Sequence, residues 1–130
     1  MTVRRVTAAE ARAWFEHPSQ LRGAMLDSPD DLPACGVEYL ACGPICGAFH
    51  RAPWDGVWFG HYGVQPEGWG RLIEPARAVL AAFLARPDAE TIIGWTDSDN
   101  RAAISFARRL GFVETGRMHA GRVVCTEYRG

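Results

Sequence analysis

Three side chains in this sequence stand out as candidates for proton transfer: His61, Tyr62 and Glu38. His61 and Tyr62 are neighbours in the run VWFGHYGV, and Glu38 lies upstream in GVEYLA. An imidazole titrates near neutrality, which makes His61 the leading general base and Glu38 the second. The Tyr62 hydroxyl is a candidate acid, with Tyr128 as an alternative. His50 and His119 adjoin turns and rank lower. A separate polar cluster, Asp97-Ser98-Asp99-Asn100, interrupts the chain between an apolar run and a helical pattern.

Composition narrows the chemistry. The chain has 130 residues, which fits a single domain spanning 1–130. All 14 basic residues are arginine, so no lysine side chain is present to act as a nucleophile or Schiff base. A net charge of −1 supplies no basic field for nucleic acid or a membrane surface. No stretch approaches the ~20 apolar residues of a membrane span. Residues 1–16 lack a continuous apolar segment, and a cytoplasmic location is expected. The four cysteines, Cys35, Cys42, Cys46 and Cys125, contain no CxxC pair, so they read as small apolar side chains and no metal site is expected.

The elements that must position these residues follow from periodicity and punctuation. Val3–Val6 reads as a strand. Thr7 and Glu10 form a capping-box pattern for a helix over 8–16, ended by Pro18. Residues 19–34 read as a short helical piece and a polar turn. Segments 36–41 and 45–50 read as a hairpin around Cys42-Gly43-Pro44. Residues 57–64 form a strand whose glycines suit a bulge. A helix is expected over 75–85, with Pro75 delaying its start. Thr91–Trp95 is a buried strand, and residues 100–110 form a helix with Ala103, Phe106, Ala107 and Leu110 on one face. Asp99 or Ser98 is the expected cap of that helix, and Gly111 its stop. Two strands joined near Ala120-Gly121 complete the order β-α-(α)-β-β-β-α-β-α-β-β, an α+β (mixed α/β) class.

That order, over nearly the whole chain, resembles the GCN5-related N-acetyltransferase (GNAT) superfamily. Two stretches carry the resemblance. Asp97-Ser98-Asp99-Asn100, the helix to Leu110, Gly111-Phe112 and Gly116 match the family's strand–turn–Asn–helix–Leu-Gly-Phe pattern. Val64, Pro66, Glu67 and Gly70 match the strand end and the first part of the loop that precedes the next helix. The resemblance implies a mostly antiparallel sheet of about six to seven strands with three to four helices. It implies acetyl-coenzyme A as co-substrate, with loop amides on its pyrophosphate. Val64, Trp69, Gly70, Arg71, Asn100, Arg101 and Phe106 are the residues assigned to the cofactor on this resemblance, with a capping role as the alternative for Asn100. It also implies that a strand bulge near His61–Val64 presents an amide to the thioester carbonyl.

The sequence departs from the family at four positions. Trp69 stands where Arg or Gln is expected, and Leu72 and Glu74 stand where later glycines fall. Ala107 replaces the tyrosine that commonly serves as general acid. Two functions are therefore expected from different classes. The first is acetyl transfer to a primary amine of a small molecule or peptide, with room for a homodimer. The second is a catalytically inactive binding or assembly module of the same fold, of the kind a phage or prophage would carry. The cysteine spacing makes a metal or redox protein the weakest reading.

Overall fold

The computed structural model describes residues 2–130, and its architecture is one seven-stranded sheet in the order β1-β2-β3-β4-β5-β7-β6. The strands are β1 (Arg4–Val6), β2 (Glu38–Cys42), β3 (Ile45–Arg51), β4 (Val57–Val64), β5 (Thr91–Asp97), β6 (Val113–Met118) and β7 (Val123–Tyr128). Every neighbouring pair is antiparallel except β4 and β5. Four α-helices accompany them: α1 (Ala8–Ala11), α2 (Pro18–Gly23), α3 (Ile73–Leu84) and α4 (Arg101–Leu110). The expected α+β class and strand number are those observed. No helix is long and apolar enough to cross a membrane among the described residues.

The two faces of the sheet are packed by different parts of the chain, because side chains alternate along each strand. On one face α3 and α4 bury Phe49, Trp58, Ile92, Val79, Leu80 and Phe83. Phe49 stacks on Phe83 at 4.0 Å between ring centroids. On the other face Trp14 and Phe15 pack over Val6, Tyr39, Ala41, Cys46 and Ala48. Full burial of a phenylalanine such as Phe15 or Phe83 stabilises by roughly 1.5–3 kcal/mol.

Several boundaries differ from those expected. The first helix runs only to Ala11 before tightening into a 3-10 turn at Arg12–Trp14. The tightening lets the Trp14 indole N–H donate to Gly43 O at 2.9 Å while Phe15 is buried. Helix α3 starts at Ile73, two residues before Pro75, which sits in the first turn where no amide donor is required. The cap of α4 is neither Ser98 nor Asp99 but Asn100, whose Oδ1 accepts from Ala103 N.

The expected bulge in β4 is absent. Its register with β3 is unbroken from Ile45↔Val64 to Arg51↔Trp58. The β4 glycines serve packing instead. A Cβ on Gly60 would come within 2.8 Å of Ile92, and one on Gly63 within 2.7 Å of Phe15 and of the Trp14 carbonyl. The irregularity in this sheet lies between Glu114 and Gly116 in β6.

Candidate active site: the divergence of β4 and β5

The site arises from a pairing that stops. Strands β4 and β5 are paired only at Val57↔Thr91, Trp58↔Ile92 and Phe59↔Ile93. Yet β4 continues to Val64 and β5 to Asp97. β5 stays paired with β7 along this length and β4 with β3, so the two inner strands separate into a wedge open at their C-terminal ends. Both following helices begin at that end.

Backbone groups line the β4 side. Gln65 N donates to Pro44 O, and amides alternate along a strand, so the Tyr62 and Val64 amides face away from β3 into the wedge. The Val64 amide donates to Oε1 of Gln20, 3.2 Å away on α2. A side chain from the first quarter of the chain thus occupies one of the wedge's donors.

The loop from Pro66 to Leu72 closes the end of β4. Pro66–Gly68 is a 3-10 turn, packed so closely that a Cβ on Gly68 would lie 2.3 Å from Pro44. Gly70 takes φ +87° with open space beside it, a conformation natural to glycine. The amides of Gly70, Leu72, Ile73 and Glu74 have no acceptor among the described residues. Free amides at a helix start suit an anion. The Leu72 side chain joins the core and Glu74 turns to Arg77 at 3.2 Å, so neither lies across these amides. Arg71 folds back, donating to Glu67 O at 3.0 Å, and Trp69 is exposed with its ring edge on His17.

Across the wedge, Asn100 caps α4 and Arg101 is exposed without an ion-pair partner among the described residues. Phe106 meets the Tyr62 ring edge-on at 5.8 Å. The Tyr62 hydroxyl is buried and has no hydrogen-bond partner among the described residues. Burial holds it protonated well above the usual phenol range, with Tyr128 adding to the effect. A buried, unsatisfied hydroxyl beside a wedge is a donor waiting for an acceptor.

The three proton-transfer candidates separate. His61 and Tyr62 are adjacent in β4 and therefore on opposite faces of the sheet. Glu38 lies on the α3 face, bridged to Arg5 and, at 3.3 Å, to Arg86, so it is not gathered with His61. His61 instead meets His50: their Nε2 atoms are 3.3 Å apart and their rings stack within 9° of parallel. Burial, then the neighbouring His50, lowers the His61 pKa to about 4. Burial also lowers that of His50. Sequence reasoning ranked His50 low because it adjoins a turn. The signal that would have found it is register: His50 pairs with Phe59, which sets it diagonally beside His61 on one face.

The His pair faces a pocket of about 130 Å³ formed by the α1 side of the sheet and residues 24–37. An aromatic row continues from it across the strands, with His50 on Phe59 at 5.2 Å and Phe59 on Trp95 at 4.7 Å. No group of three or more His, Cys, Asp or Glu side chains that could hold a metal occurs among the described residues.

A seven-stranded sheet that splits between a parallel β4 and β5, with a helix start on each side, is the GNAT acetyltransferase fold. Solved structures agree over nearly the full length. An aminoglycoside acetyltransferase, AAC(6')-Ib, in complex with coenzyme A matches with a TM-score of 0.74 at 16% identity, covering 98% of this chain and 94% of its own. The GNAT domain of S. lividans PAT matches at 0.75 and 18% identity, covering 98% and 89%. A spermidine N-acetyltransferase chimera of Vibrio cholerae SpeG and hSSAT matches at 0.71 and 14% identity, covering 98% and 94%. No family model matches the sequence, and no curated protein does.

Proposed function

We propose that this protein is an N-acetyltransferase that moves the acetyl group of acetyl-coenzyme A to a primary amine. The observation that carries the reading is the wedge between β4 and β5, with the amides of Gly70, Leu72, Ile73 and Glu74 unpartnered among the described residues at its mouth. Those amides, with Arg71 and Arg101, fit a pyrophosphate. The Tyr62 amide fits the thioester carbonyl, and the buried Tyr62 hydroxyl is the donor available on the α4 side. His61, neutral at pH 7, is the base on the opposite face, with His50 as its link to solvent. Coenzyme A supplies the activated acyl group; the chain supplies position, carbonyl polarisation and proton transfer. A cytoplasmic setting and a homodimer are compatible with this role.

One observation favours a second reading. Gln20 holds the Val64 amide, which suits a wedge kept shut in a binding module that has lost catalysis. Calorimetric titration of acetyl-coenzyme A into the wild type and Arg71→Ala separates the two. Micromolar binding, weakened by the substitution, supports the enzyme. No heat at millimolar cofactor rejects it and directs attention to macromolecular partners.

A further inference from the structure

The pocket beside His50 and His61 has a composition that selects among amines. Its wall is hydrocarbon: Phe15, Leu26, Leu32, Val37 and Ala48 contribute most of it. The one hydroxyl in the lining, that of Tyr39, already donates to Pro33 O at 2.8 Å. Among the described residues no carboxylate lines it. Of the three acids on the covering segment, Asp30 pairs with Arg12 at 2.8 Å, Asp31 accepts from the Ser28 amide, and Asp27 is exposed to solvent outside the lining. The remaining polar side chains in the lining are the His50 and His61 imidazoles, which meet each other through Nε2.

We propose that the acceptor is a small apolar monoamine, its hydrocarbon part in this pocket and its nitrogen at His61. The inference rests on the acetyltransferase reading above and adds the substrate class.

Three physical points support it. A second ammonium taken into this pocket would lose its hydration with no counter-charge to replace it, which is strongly unfavourable. Polyamines and aminoglycosides carry such charges, and an aminoglycoside acetyltransferase of this fold is known with kanamycin bound. Size sets the next limit. An apolar cavity of about 150 Å³ accepts benzene, so about 130 Å³ holds one ring or a short branched chain. Lastly, imidazoles in an apolar wall stay neutral, and a neutral pair accommodates the uncharged amine that must attack.

The step balances. The amine nitrogen forms a bond to the acetyl carbon as the carbon–sulfur bond breaks. An ammonium that enters loses two protons. One passes to His61 and through His50 to solvent, and the other ends on the sulfur of coenzyme A.

The test combines binding and turnover on the intact protein. Benzylamine, 3-methylbutylamine, spermidine and kanamycin are titrated while the imidazole C–H signals of His50 and His61 are followed by NMR. Release of free thiol from acetyl-coenzyme A is then measured with each amine. The two apolar amines are expected to shift both histidines and to bind at least tenfold more tightly than the polycations. Val37→Asp, which places a carboxylate in the wall, is expected to shift preference towards spermidine. Preferred binding or turnover of spermidine or kanamycin by the wild type overturns the proposal. So does benzylamine at saturation leaving both histidines unmoved. If benzylamine binds but acetyl-coenzyme A does not, the acetyltransferase reading fails and the pocket assignment stands.

Discussion

Nε2 of His50 and Nε2 of His61 lie 3.3 Å apart on neighbouring strands, within reach of a shared proton. Burial disfavours a charge on either ring, so the pair is neutral near pH 7, one Nε2–H donating to the other ring's Nε2. This relationship makes a stability prediction independent of any catalytic role. The folded pKa of His61, about 4, is below its unfolded value, so as pH falls the unfolded chain binds the proton first. Stability is then highest above the unfolded pKa of about 6.5 and declines as pH falls towards 4. The loss over that range is about 3 kcal/mol. Urea denaturation at stepped pH measures it. His61→Gln should flatten the curve, and an unchanged slope would contradict the buried pair.

Asn100 makes a separable prediction. Removing its cap by Asn100→Ala should cost about 1 kcal/mol, while Asn100→Ser should keep most of the stability. If acetyl-coenzyme A binding falls in the serine variant too, the Asn amide contacts the cofactor as well as capping. Equal binding in the serine variant and the wild type assigns Asn100 to the cap alone.

Gln20 competes for a wedge donor, since its Oε1 holds the Val64 amide at 3.2 Å. Gln20→Ala should therefore tighten acetyl-coenzyme A binding severalfold while leaving α3 and α4 untouched. Calorimetry reads this directly, and weaker binding would show that Gln20 is a support for the site.

Glu74 places a negative charge in the first turn of α3, beside the free loop amides. A charge there is worth about 0.3–1 kcal/mol at an exposed position. Glu74→Gln should thus improve binding of a phosphate-bearing ligand roughly two- to fivefold. The gain should shrink as salt is raised, because the position is exposed.

Gly63 tests the packing of the α1 side. A Cβ there meets the Phe15 ring and the Trp14 carbonyl, each at 2.7 Å, and the carbonyl is backbone that cannot swing away. Gly63→Ala should cost about 1–3 kcal/mol and lower the midpoint of thermal unfolding. Gly116→Ala, which meets nothing within 4 Å, is the matched control.

Local chemistry determined much of this protein. Thr7 with Glu10, Gly111 after Leu110, and the alternation in 57–64 each act over a few residues, and the elements they mark are present. The strand–turn–Asn–helix pattern at 95–112 and the Val-x-Pro-Glu stretch at 64–67 pointed to the fold that the sheet order then displayed. Non-local relationships were decided by the tertiary structure. Adjacent His61 and Tyr62 point to opposite faces, so one cleft could not gather both side chains on the same side. Glu38 looked available until Arg5 and Arg86, distant in sequence, engaged it in ion pairs. The bulge inferred from Gly60 and Gly63 was absent because those glycines make room for Ile92 and Phe15. The wedge itself comes from a parallel pairing that ends at Phe59 while each strand keeps its other neighbour. Sequence spacing records distance along a chain, whereas register and facing side chains depend on which segments meet.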